Sequence, residues 1–221
     1  MSMNKFDIQC KDIVKGTFEA TLEQVPVVNF FYSAFSKIKG GSLQRRYESW
    51  QEMVGERLSA LESTVFDTLG NNETFATALL KTTELAVKSN AKKMELLANA
   101  VKYAAENKIE DDYIIIYLNY IDGYAISHLR LLRFFDDPNQ YYSRGVDYIT
   151  TSPMTLYHET FSVPQSEYRL LDTMVKQLFD DGLLNTREMN AGMTMRGALS
   201  QRTTDIGRKF IEFFGLKDVD L

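Results

Sequence analysis

Few side chains in this sequence can bind or transform anything: two histidines, one cysteine, three adjacent acidic pairs and two groups of basic residues. His158 stands beside Glu159 in "YHET", but one imidazole and one carboxylate fall short of a metal's ligand set. His128 lies in the most apolar segment of the chain, where a hydrogen-bonded core or interface role is expected. Cys10 can form neither an intrachain disulfide nor a thiolate zinc cluster, and no histidine lies nearby to activate it. Asp111–Asp112, Asp136–Asp137 and Asp180–Asp181 fall at expected helix ends, where capping and solvation account for them. Neither GxxxxGK[ST] nor GxGxxG occurs, and "KIKGGSLQRR" has no strand before it. The expectation is a non-enzymatic protein with no catalytic residues, cofactor, metal or small-molecule substrate.

The basic residues suggest two kinds of contact. Arg187, Arg196 and Arg202 lie in a polar stretch near the C-terminus and are candidates for phosphate contact with nucleic acid. Residues 24–47 hold Lys37, Lys39, Arg45 and Arg46 and no acid, in a chain of formal charge −5. They accompany the aromatic stretch "VVNFFYSAFSKI". Phe31 and Phe35 with those cations are candidates for contact with an anionic membrane, against a plainer reading as a core helix whose basic end answers its dipole.

The elements that must position these groups are mainly helical. Residues 4–22 and 26–38 read as helices, with Pro26 in a first turn and Gly40–Gly41 as a stop. Leu43, Tyr47, Trp50, Val54, Leu58, Leu61, Val65 and Leu69 recur every three or four residues, predicting one helix over 42–69. "NNET" offers an Asn cap to a helix over 73–89, and a further helix over 91–107 turns Met94, Leu97, Val101 and Ala104 inward. The apolar positions 114, 118, 121, 125, 129, 132 and 135 predict one central helix over 109–137, widened by Tyr117, Tyr120 and Tyr124. Residues 138–165 form a Pro/Tyr-rich linker, with "TTSPMTLYHETFSVPQ" non-helical in character. The predicted organisation is an all-α bundle over 1–137, this linker, a module over 166–215 and a tail over 216–221.

At 221 residues, with 44% hydrophobic and 25% charged side chains, the chain suits one or two globular units. The opening "MSMNKFDIQCKDIVKG" lacks a signal peptide's apolar run, which with the single cysteine predicts a cytoplasmic protein. No stretch reaches the ~18 apolar residues of a spanning helix.

In the 166–215 module, Ser166 is expected to cap a helix bearing Leu170, Leu171, Met174, Val175, Leu178 and Phe179, ended by Gly182. Strands at "LLNTRE" and "ALSQRTT" flank the turn "NAG". Thr203 or Thr204 then caps a last helix with Ile206, Phe210, Phe213 and Phe214 inward. This order resembles the recognition helix and wing of winged-helix domains. The resemblance implies a mainly α fold with a C-terminal α+β module, its 166–181 helix in a major groove and its 187–202 hairpin near phosphates. The overall layout resembles uncharacterised bacterial proteins that pair a helical bundle with such a tail. Seven basic residues in the module are matched by seven acidic ones, which is poor provision for phosphate neutralisation. The leading expectation is therefore a protein-interaction or scaffold protein that contacts a protein partner or a second copy. A DNA-binding transcriptional regulator is the alternative, and a membrane-active helical bundle the second alternative.

Overall fold

In the computed structural model, residues 41–61, 65, 68–142 and 150–221 are described. The expected helices over 4–22 and 26–38 lie outside them. The described residues contain nine α-helices and no strand, only two isolated bridges, Thr151–Met193 and Leu184–Thr203. They fall into two compact units: one within residues 1–122 together with 213–215, the other 123–212 with 216–221.

In the first unit, α1 (Gly41–Ser59) buries Trp50, Val54 and Leu58. It stops ten residues short of the expected end, where the Ser59 hydroxyl bonds back to the Glu56 carbonyl at 2.9 Å and competes with the helical pattern. Helix α2 (Glu73–Ala86) starts as expected on Asn72, whose side chain accepts the Phe75 N–H at 2.8 Å. Asn90 does the same for α3 (Ala91–Glu106), accepting from Lys93 at 2.9 Å. The four expected apolar positions of α3 are buried, along with Leu96, Ala98, Ala100 and Ala105. Trp50 reaches α2, its indole N–H donating to Thr83 at 3.1 Å. Helix α4 (Asp111–Gly123) opens on two aspartates and buries Ile114, Tyr117, Leu118 and Ile121. Phe213 closes this unit with its ring 5.5 Å from Tyr103 and 5.6 Å from Tyr117.

The single helix expected over 109–137 is two. Residues 124 and 125 break it before α5 (Ile126–Asp136), because Ala125 turns extended and donates its N–H to His128 Nδ1 at 3.1 Å. That side chain starts a new helix by satisfying an N-terminal donor. In the second unit, Ser152 caps α6 (Pro153–Phe161), with Pro153 in the first turn. The stretch read as non-helical therefore contains a helix. Its Tyr157 ring meets Phe134 edge-on at 5.2 Å and Phe161 at 4.6 Å.

The α+β winged-helix module is not formed. Helix α7 (Tyr168–Asp180) is present and ends on Gly182 in the left-handed region, but a 3-10 turn at Gln165–Glu167 precedes it and Ser166 does not cap it. Beyond it the two expected strands meet only around the isolated Leu184–Thr203 bridge, in the bonds from Asn185 N–H to the Arg202 carbonyl and from Thr204 N–H to the Leu183 carbonyl. Backbone groups must find partners somewhere, and here other elements supply them. Arg202 N–H donates to the Phe135 carbonyl at 2.8 Å, Met154 N–H to Met189 at 2.9 Å, and Thr151 and Met193 bond each other. Thr194 instead caps a one-turn helix, α8 (Met195–Ala198), where the second strand was to begin. Helix α9 (Asp205–Phe213) is capped by Thr204, which accepts from Gly207 N–H at 3.0 Å. Phe210, Phe213 and Phe214 are buried as expected, whereas Ile206 is exposed.

Candidate functional site

Both histidines are committed locally. His128 stacks on Tyr124 with ring centroids 5.1 Å apart and is nearly buried. Because Nδ1 accepts from Ala125, Nε2 carries the proton and donates to Gln177 Oε1 at 3.1 Å, an assignment made from the bonding network. His158 takes the other tautomer, Nδ1–H donating to the Val163 carbonyl at 2.6 Å beside left-handed Ser162. Among the described residues no three His, Cys, Asp or Glu side chains gather as for a metal.

The candidate nucleic-acid residues have different surroundings. Arg187 pairs with Asp180 at 3.3 Å and lies over the Phe179 ring, tying it to the end of α7. Arg202 donates to the Gly197 carbonyl at 2.9 Å and approaches Met193 Sδ, closing the 193–202 loop on itself. Arg196 is exposed on α8. Of the candidate membrane residues, Phe31, Phe35, Lys37 and Lys39 lie outside the described residues. Arg45 and Arg46 are exposed on α1, and Arg46 donates to the Val87 carbonyl at 3.3 Å. No helix among the described residues is long and apolar enough to cross a membrane.

A denser polar cluster lies where the sequence offered only an acidic helix end and a tail. Asp136, at the end of α5, is buried; its Oδ1 accepts from Thr203 at 2.9 Å and Gln201 at 3.0 Å. Oδ2 meets Lys217 Nζ at 2.7 Å. Burial pushes this carboxyl's pKa up, but the hydrogen bonds from Lys217, Thr203 and Gln201 outweigh it and hold the pKa below the ordinary value. One turn earlier Arg133 donates to the Val219 carbonyl at 2.6 Å, the Leu216 carbonyl at 3.4 Å and Tyr141 at 2.8 Å. Arg130 donates to the Leu221 main-chain oxygen at 3.3 Å. The segment expected as a tail is thus seated on α5, with Leu216 and Val219 buried. The i, i+3, i+6 spacing of Arg130, Arg133 and Asp136 was the available signal.

In the first unit, the outer face of α4 carries Tyr113 and Ile116, each 41% exposed, and half-buried Tyr120. At 100° per residue these three side chains fall within about 60° of one another. Comparison with family models, curated proteins and solved structures finds no match to this chain.

Proposed function

We propose that this chain is a non-enzymatic, cytoplasmic protein-interaction protein, and that the outer face of α4 is where a second copy docks. The observation that carries this reading is the pair of large apolar side chains, Tyr113 and Ile116, exposed on a helix whose opposite face is already buried. From Tyr113 to Ile121 the sequence has no charged residue. Aromatic enrichment and charge depletion mark the centres of protein interfaces. A second copy is the simplest occupant, since a twofold pairing uses one patch on both sides.

Sedimentation of wild type and Ile116→Asp over a concentration series tests it. Concentration-dependent dimerisation that weakens at least about tenfold in the variant supports the reading. A monomer at every concentration up to about 100 µM contradicts it.

A further inference from the structure

The contacts between α5 and residues 216–221 are lopsided. Lys217 has a side chain 64% exposed, yet it is the counterion of a carboxylate only 4% exposed. The remaining polar partners of Asp136, Thr203 and Gln201, are neutral. The acceptors that Arg130 and Arg133 hold on the final segment are all main-chain oxygens of that segment. One reachable ammonium therefore compensates a buried charge, and the rest of the seat is made of contacts that end on the same six residues.

We propose that residues 216–221 are a releasable strap latched by Lys217, so that loss of its positive charge frees the strap and the C-terminal end of α9 while α5 stays folded. Without the ammonium, Asp136 is left as a buried carboxylate with neutral donors only, a costly arrangement. Water relieves it by entering where Lys217 sat, and a strap no longer tied to Asp136 is free to lift. Release breaks none of the backbone hydrogen bonds within α5. It does uncover Arg130, Arg133 and Asp136, so the strap is a cover on a two-signed face of α5.

The test is amide hydrogen exchange on the full chain. The reporter is Leu216 N–H, bonded to the Ile211 carbonyl at 3.0 Å, with the amides of 126–136 as the reference. In Lys217→Gln, Leu216 exchange rises about tenfold or more while the α5 amides keep their protection. Lys217→Arg stays close to wild type. In an Asp136→Asn background the same Lys217→Gln change has little further effect, because no buried charge remains to be exposed. The proposal is overturned by unchanged Leu216 exchange in Lys217→Gln, or by strap and α5 amides accelerating together. If Lys217→Gln does not fold, wild type decides the matter in low denaturant. Leu216 exchange insensitive to denaturant beside sensitive α5 amides marks a separate opening, and a shared sensitivity refutes it.

Discussion

Asp136 shows how a residue dismissed on sequence becomes central once its neighbours are known. Next to Asp137 at a helix end, it read as a solvated cap; its three donors arrive from positions 201, 203 and 217, separations that no local pattern encodes. Its folded pKa lies below its ordinary value, chiefly through Lys217, Thr203 and Gln201 overcoming burial. The stability it contributes is thus fully present above the unfolded-state pKa of about 3.9 and is lost as pH falls through the folded value. Urea unfolding followed from neutral to acidic pH should show wild type losing more stability than Asp136→Asn. At neutral pH Asp136→Ala should cost about 2 kcal/mol, because it removes the bonds from Gln201 and Lys217 and strands the buried Thr203 hydroxyl. Gly207 is a second residue whose identity geometry dictates: a Cβ there would sit 2.1 Å from the Leu183 carbonyl oxygen. The "TDIG" stretch is therefore a cap followed by a close backbone approach. Gly207→Ala should lower stability by about 3 kcal/mol, read from the urea midpoint, since backbone on one side must move.

At the scale of elements, short-range chemistry was legible and pairing was not. Asn72, Asn90 and Thr204 act as caps because an N-cap needs only an oxygen within reach of the next few amides. Asn90→Ala should accordingly cost about 1 kcal/mol, measured by thermal or urea unfolding. The apolar stripe through 109–137 concealed a break, because His128 can start a new helix without disturbing the spacing of Leu129, Leu132 and Phe135. Removing that acceptor in His128→Ala should cost about 2 kcal/mol through the lost bonds to Ala125 and Gln177. The wing failed for a complementary reason. "ALSQRTT" has strand-like composition, yet most of its bonded amides are taken by Phe135 and by a helical turn capped at Thr194, and Thr204 N–H alone is seen to reach Leu183. Tertiary partners outbid a hairpin, and neighbouring sequence does not disclose them.

Across the whole molecule, apolar spacing anticipated a mainly helical protein and composition an excess of aromatic surface, without showing which aromatics face outward. Tyr117 and Tyr124 are buried, while Tyr113 is exposed on the same run of residues. The candidate interface therefore became visible only with the orientation of α4, and the strap only with the seating of the final residues. The measurement that tests the central claim most directly is the mass of the purified chain against concentration, for wild type and Ile116→Asp. Dimerisation in wild type that weakens at least about tenfold in the variant is the predicted result. A wild-type monomer throughout, or a dimer indifferent to Ile116, would contradict it.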